Sequence, residues 1–461
     1  MTTPDYANLV AGQRAYFLSG ATRPAAWRVA QLNAVKAMIN ENRDAMFDAL
    51  WHDLRRNRFD ADLMDVEFNV KEADHALSHL HHWMKPERVH TPLVLEPGHV
   101  RVRRDPLGVT LIIGAWNEPF MLTLGPLVPA IAGGNTAVIK PSELSVACSA
   151  VLARLLPRYL DTEAFAVAEG AVPETTALLE QKWDLIFFTG SPQVGKIVHQ
   201  AAAKHLTPAV LELGGKNPTI VHSSAVIRSA ARRIAFSRYI NSGHICTAPD
   251  HVLVWPEVKD EFVHEVGEAI REFYGDDPKQ SPDYGRVIND RNFDRLAGFL
   301  GSGTIAFGGQ TDPAERYIAP TVLTDVSVDS PIMQDEVFGP ILPVLEIDSV
   351  DKVIDWVNSH PRPLGLYIFA EDDDVADRIL EATESGDACV NDCSIQPLIP
   401  ELPFGGVGNS GMGKYHGRFG FEAFTNARGV LYHSAKLDPA IKYPPYSEHE
   451  RMHGIVGKLM P

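Results

Sequence analysis

At 461 residues, 45% hydrophobic and 22% charged, the chain has the balance of a soluble globular protein and is too long for one ordinary core, so about two or three domains are expected. A formal net charge of −17 makes nucleic acid and anionic membrane surfaces poor partners, while leaving room for a local basic pocket. The four cysteines, Cys148, Cys246, Cys389 and Cys393, include no Cys-x-x-Cys pair; this argues against a zinc ribbon or a thioredoxin-like site and for a reduced, cytoplasmic setting.

The N-terminus, MTTPDYANLV, has no basic or apolar signal region. Residues 4–84 read as helices, with Val29, Leu32, Val35, Met38 and Ile39 at helical spacing. His75, His79 and His82 share one helical face, but no acidic or cysteine partner accompanies them, so a solvated or interface helix is the better reading than a metal site. Thr91–Pro106 alternates around Pro97-Gly98 and predicts a hairpin, of the kind that forms an arm toward a partner subunit. The most apolar stretch, Leu107–Ile139, is broken by Asn117, Glu118, three prolines and several glycines, and does not qualify as a membrane span.

From Gly108 the pattern becomes strand, helix, strand. Strands are predicted at Val109–Ala115, Thr136–Lys140, Ala164–Gly170, Trp183–Thr189 and Ala209–Leu213, with helices at Glu143–Leu156 and Gln193–His205. Short apolar strands alternating with helices imply a parallel sheet covered on both faces, with ligand sites just beyond the carboxyl ends of its strands. A second α/β region follows. Its helices are predicted at Ala225–Tyr239, Lys259–Phe273, Val350–Val357 and Val375–Ser385, and its strands at His251–Trp255, Ile341–Ile347 and Gly365–Ala370. The glycine-rich Pro403–Gly417 reads as a loop that approaches something closely.

Five motifs sit where such a fold would place chemistry. FFTGSPQVGK (Phe187–Lys196) joins a strand to a helix and offers a helix N-terminus to a phosphate. Its spacing is that of a P-loop, but Ile197 stands where magnesium needs Ser or Thr, and a plain strand-to-helix turn would look the same. In LELGGKNP (Leu211–Pro218), Glu212 closes an apolar strand. Burial there would raise its pKa toward that of a general base, although a strand-end glutamate in an ion pair is the commoner case. In NSGHICTAPD (Asn241–Asp250), Cys246 occupies a polar turn where a packing cysteine is unusual, and a thiolate there would be a strong acyl-forming nucleophile. Nothing indicates that the His244 ring reaches the sulfur. In GAWNEPF (Gly114–Phe120), Asn117 can donate to an oxyanion or cap a helix. In QDEVFGPIL (Gln334–Leu342), Glu336 and Phe338 are placed either to clamp a sugar and a ring or to form a solvated turn.

Taken in order, LIIGAWNEPF, AVIKPSEL, FFTGSPQVGK, LELGGKNP, ICTAPD, YIAPTVLTDV, QDEVFGPILP and LPFGGVGNSGMGKYHG closely resemble the aldehyde dehydrogenase superfamily, most of all its class 3 branch, from about Val109 to Tyr432. The resemblance implies a Rossmann-like cofactor domain (1–85 and 105–211), an α/β catalytic domain (212–395) and an oligomerisation arm with the C-terminal segment (86–104 and 396–461), assembled as a homodimer. It implies NAD as cofactor with NADP also accepted, and an aldehyde as substrate. Carried over residue by residue, it makes Cys246 the nucleophile, Glu212 the general base, and Asn117 with the Cys246 amide the oxyanion hole. Lys140 and Glu143 would contact the adenosine ribose, Gly190, Ser191 and Gly195 would form the turn beside the phosphates, and Glu336 and Phe338 would meet the nicotinamide ribose and ring. Two departures bear on substrate preference. Glu118 stands where the family usually has Tyr, and would disfavour anionic aldehydes if it lined the entrance; His244-Ile245 replaces a Gln-Thr pair. A nucleotide triphosphatase, a silent binding scaffold and a CoA-acylating enzyme are the rivals, and Ile197, the intact Cys246–Glu212–Asn117 set and Glu212 respectively weigh against them.

Overall fold

The computed structural model describes residues 5–438 and 443–445. The amino-terminal part is helical, as the periodicity predicts. Helix Tyr6–Leu18 is capped by Asp5, which accepts the Asn8 N–H at 3.0 Å. Helix Ala25–Glu41 buries Leu32, Val35, Met38 and Ile39 completely. These side chains lie one and two turns apart on one face, and that face packs against helices Glu67–Trp83 and Met121–Gly133. A short π-helical segment, Ala61–Val66, carries Asp65 into the same interior.

The alternating region forms a six-stranded sheet. Across it lie Gly411–Met412, Ala209–Glu212, Leu185–Thr189, Val109–Ile113, Thr136–Lys140 and Phe165–Val167. All neighbours pair parallel except Gly411–Met412, which lies antiparallel on Ala209–Glu212. The middle strands are buried along their whole length, which explains their unbroken Val, Ile, Leu and Phe runs. A seven-stranded sheet follows, ordered Thr304–Phe307, Thr321–Thr324, Ile341–Glu346, His251–Val254, Pro218–Val221, Gly365–Phe369 and Asp387–Val390. Only its first edge strand is antiparallel. The α/β fold with parallel sheets expected from the alternation is the fold found.

Several local readings need correction. The predicted hairpin does exist, but its first strand is Glu87–Val89 rather than the residues just before Pro97: Leu93–Leu95 forms a single 3-10 turn, and His99–Pro106 pairs back to Glu87–Val89. A third strand, Thr425–Tyr432, lies antiparallel on His99–Pro106. Glu143 precedes its helix, which runs Val146–Tyr159. The glycine-rich segment is not all loop, because Gly411–Met412 is a sheet strand. Its glycines do permit close approach: a Cβ on Gly411 would lie 2.5 Å from the Leu211 carbonyl oxygen. Pro218–Val221, central in the second sheet, was not legible because four residues beginning with proline give too short a pattern.

Candidate active site

The sequence-flagged residues gather at the carboxyl ends of the first sheet. Val109–Ile113 has Thr136–Lys140 on one side and Leu185–Thr189 on the other, so the chain order reverses there and a crevice opens beyond the strand ends. Asn117 follows the first of these strands, Lys140 ends the second, Gly190 and Ser191 follow the third, and Glu212 ends the next. The Gly190 N–H donates to the Glu212 carbonyl at 2.9 Å, tying two of these ends together.

Cys246 reaches this crevice from the second sheet. Helix Ile227–Tyr239 stops, and Asn241, Ser242 and Gly243 take φ of 50°, 51° and 75°, which turns the chain sharply. The loop is then pinned from both domain-sized halves. Asn217 Nδ2 donates to the carbonyls of Cys246 (2.8 Å) and Ala248 (2.9 Å), while its Oδ1 accepts the Gly365 N–H at 2.8 Å. Asn117 Nδ2 donates to the His244 carbonyl at 2.9 Å, which leaves its second amide hydrogen uncommitted. The Asn117 carbonyl accepts from Arg56 Nη2 (2.6 Å) and Asn241 Nδ2 (2.9 Å), and Arg56 is ion-paired to buried Asp65 at 2.9 Å. Asn117 does not cap the following helix: Phe120 is the N-cap residue of Met121–Gly133 and makes no side-chain cap. Asn217 lies in the LELGGKNP segment and Arg56 in none of the motifs, and the sequence assigns neither a role, since the loops they hold around residues 117 and 246 lie far away in the chain.

The electrostatics around the sulfur are those of a nearly dry, acid-rich chamber. Burial pushes the Cys246 thiol well up, and the carboxyls of Glu118, Glu336 and Glu212 push it in the same direction. Glu212 is raised well above the usual carboxylate range by burial, against the pull of Lys414 and with a further push from Asp387. Neither of its carboxylate oxygens has a hydrogen-bond partner, and the Tyr415 hydroxyl nearby is likewise unpaired. Glu118 is not at an entrance. It is 3% exposed, and burial, opposed by Arg56, holds its carboxyl at about 7. His244 is wholly buried with its ring against Trp116 and Phe338 at centroid distances of 5.1 and 5.9 Å, and burial lowers it to about 3, so the ring is neutral. Carboxyls whose proton affinity is raised by burial therefore surround one sulfur, a setting in which one of them can take a proton from water.

The residues expected to meet a cofactor lie around the rest of the crevice. Lys140 is almost fully buried; its Nζ donates to the Pro141 carbonyl at 2.7 Å and lies 3.4 Å from Glu143 Oε2 on an exposed carboxylate. Burial lowers its pKa, while Glu143 opposes that shift. Ser191 caps helix Pro192–Ala203, whose N-terminus faces the strand ends. Gly195 serves packing, since a Cβ there would sit 2.5 Å from Leu213 Cδ2, and Gly190 is similarly closed by Phe188 at 2.6 Å. Glu336 Oε1 accepts the Gly215 N–H at 3.2 Å, and burial holds its carboxyl at about 8. Phe338 adopts φ 43° and meets the Trp116 ring edge-on at 5.3 Å. Its segment is fixed by Asp250, which accepts the Val337 N–H at 2.8 Å, and by Arg295, which donates to the Val337 carbonyl at 2.8 Å. A helix N-terminus, a buried ammonium and a carboxylate acceptor fit the phosphates and ribose of a dinucleotide. By contrast, His75 and His79 stack on each other at 4.3 Å and His82 is exposed; among the described residues no group of three His, Cys, Asp or Glu could hold a metal.

Comparison with known proteins places the chain in a family. The model of the aldehyde dehydrogenase family matches residues 1–430. Aldehyde dehydrogenase family 3 member B1 of Bos taurus is 46% identical over 96% of this chain and 95% of its own length. The dimeric NADP-preferring aldehyde dehydrogenase of Mus musculus is 45% identical over 96% of this chain and 98% of its own. A substrate-bound structure of AldH from Staphylococcus aureus superimposes with a TM-score of 0.96 at 40% identity, covering 98% of this chain and 99% of that one. The chain belongs to the aldehyde dehydrogenase family, and its reaction is the NAD(P)-dependent oxidation of an aldehyde to a carboxylic acid.

Proposed function

We propose that Cys246 is the nucleophile of this reaction, Glu212 its general base, and Asn117 with the Cys246 amide its oxyanion hole. The observation that carries this reading is Glu212, fully buried at the end of its strand, with both carboxylate oxygens unpaired and within electrostatic reach of the Cys246 sulfur. The Cys246 thiol gives its proton to the Glu212 carboxylate, which passes it on to solvent; the sulfur adds to the aldehyde carbon, and the carbonyl oxygen takes the electron pair and is held by the free Asn117 amide hydrogen. When bound, NAD(P) supplies the ring that accepts hydride from the adduct. Lys140 and Glu143 would hold its adenosine ribose, the Gly190–Ser191–Gly195 turn its phosphates, and Glu336 and Phe338 its nicotinamide ribose and ring. Glu212 then takes a proton from water, whose oxygen attacks the thioester and releases the acid.

A buried carboxyl suits this last task, because burial raises its affinity for the proton it takes from water. The division into a cofactor domain (1–85 and 105–211), a catalytic domain (212–395) and an arm follows from the same reading. So does a homodimer. Among the described residues Thr425–Tyr432 is an edge strand of the three-stranded arm and Asp387–Val390 an edge strand of the seven-stranded sheet, so these two edges are candidates for pairing with a second copy. The mouse relative is described as dimeric. A cytoplasmic location is consistent with four free cysteines.

The test is rapid-mixing kinetics with an aldehyde and NAD. Cys246→Ala is expected to form no NADH while still binding cofactor, and Glu212→Gln to give a burst of NADH followed by slow turnover. A covalent adduct on Cys148, Cys389 or Cys393 in an active Cys246→Ala variant would overturn the assignment, and so would steady wild-type turnover in Glu212→Gln.

A further inference from the structure

Glu212 has charged neighbours that none of the motif readings include. Strand Gly411–Met412 runs antiparallel on Ala209–Glu212 with Gly411 opposite Glu212 and Met412 opposite Leu211, so Lys414 follows two residues beyond that strand on the chain neighbouring the base. Gly405 lies between the two. A Cβ there would be 2.8 Å from Glu212 Oε1 and 3.1 Å from Lys414 Cδ, so the carboxylate and the lysine stem flank one bare Cα. Lys414 Nζ is fixed by the carbonyls of Gly386, at 2.8 Å, and Gly405. Those two glycines touch backbone to backbone: a Cβ on Gly386 would lie 2.6 Å from the Gly405 oxygen. Asp387, next in the chain, accepts the Gly405 N–H, and its Oδ2 is buried without a partner. Both Lys414 and Asp387 are only half-buried.

We infer that Lys414 is a positioning residue for Glu212, an ammonium clamped by two glycine carbonyls that sets the proton affinity of the base, with Asp387 as its counterweight. The inference rests on the reading of Glu212 as general base and deepens it. In the hydrolytic step a water O–H bond breaks and its oxygen bonds to the acyl carbon. The proton passes to Glu212, and the C–S electron pair leaves on Cys246. The proton must then leave Glu212 before the next turnover. A carboxyl buried with no partner would hold that proton too firmly, and a nearby cation weakens the hold. The ionisable groups facing Glu212 are Lys414, Asp387, Cys246 and the Tyr415 hydroxyl. Burial pushes the last two up, so they stay neutral near pH 7; the charge comes from the Lys414 ammonium and from Asp387, whose carboxyl burial raises to about 6 and which is therefore anionic above that pH. They act in opposite directions, Lys414 lowering the carboxyl and Asp387 raising it.

That opposition supplies a readout that structural loosening does not mimic. The steady-state rate after the NADH burst is measured against pH in the full-length enzyme, each variant being normalised to its burst amplitude. Lys414→Met is expected to move the deacylation limb up by about one pH unit, which is about tenfold slower turnover below the limb. Asp387→Asn is expected to move it down, and Lys414→Arg to leave it near the wild-type position. Limbs that stay in place, or that move the same way in Lys414→Met and Asp387→Asn, overturn the inference. If Lys414→Met fails to fold, the downward shift in Asp387→Asn decides alone, and its absence is fatal. Glu212→Gln separates the two levels. If that variant turns over at the wild-type rate, the assignment of the base itself falls. If it stalls after the burst while the other limbs stay fixed, only the role of Lys414 falls.

Discussion

Removing the Asn117 side chain separates its chemistry from its packing. In Asn117→Ala the lost contact is one hydrogen bond, from Nδ2 to the His244 carbonyl at 2.9 Å. That carbonyl keeps Asn241 Nδ2 at 3.4 Å, and the bonds from Arg56 and Asn241 go to the Asn117 backbone oxygen, which the substitution retains. No helix cap is lost, since Phe120 holds that position. The stability cost is therefore about 1 kcal/mol, the usual net worth of one hydrogen bond. In a chain of 461 residues that lowers Tm by only a few degrees. Loss of an oxyanion donor costs far more, about 3 kcal/mol in the barrier, or roughly two orders of magnitude in rate. Single-turnover NADH formation and a thermal melt on the same preparation read the two quantities together. The expected result is a burst slowed about a hundredfold with Tm nearly unchanged. A burst within a few-fold of wild type would refute the argument, whatever happens to Tm.

Three further outcomes follow from the same geometry. Asn217→Ala removes buried bonds to the Cys246 and Ala248 carbonyls and from the Gly365 N–H, so it is expected to cost about 3 kcal/mol in urea unfolding and to slow the burst as the cysteine loop loosens. Lys140→Ala is expected to raise KM for NADP more than for NAD, because a 2′-phosphate beside Glu143 needs the Lys140 ammonium more than a free hydroxyl does; equal effects on both cofactors would reject that contact. Glu118 has a folded carboxyl raised by burial to about 7, so the stability it contributes is complete below its unfolded pKa and is lost as pH rises through 7. Glu118→Gln is accordingly expected to gain Tm relative to wild type between about pH 5 and pH 8, and a constant difference across that range would count against a buried, titrating carboxyl.

Legibility in the sequence tracked how local each signal is. Strand and helix alternation over a few residues was readable, and so was the placement of Cys246 in a polar turn and Glu212 at a strand end, because each depends on its immediate neighbours. The arm was half-readable. Alternation marked His99–Pro106, but its true partner Glu87–Val89 is only three exposed residues, too short to show a period. Asn217 and Lys414 stand in recognisable motifs and Arg56 and Asp387 do not, but none of the four shows its role in the sequence, since each acquires it only when segments far apart in the chain are brought together. Glu118 shows the limit most directly. Its position in the motif was plain, yet whether it faced water or the interior depended on Arg56 and Asp65, which the helical segment folds over it.

That last case bears on the chemistry of the cysteine loop. Glu118 and His244 are both buried against it: Glu118 through its push on the Cys246 thiol, His244 through the rings of Trp116 and Phe338 and through its carbonyl, which accepts from Asn117. An acidic group that holds its proton up to about 7 can sit in a dry chamber without repelling the other carboxyls, and a neutral imidazole can do so without needing a counter-ion. The same property removes the expected bias against anionic aldehydes below that pH, because a protonated Glu118 presents no charge. Repulsion should then emerge only on the alkaline side. Comparing kcat/KM for a carboxylate-bearing aldehyde with that for its neutral methyl analogue across pH measures this directly. The ratio is expected to fall as pH passes about 7 and to stay flat in Glu118→Gln; a wild-type ratio independent of pH would mean that Glu118 does not face the substrate.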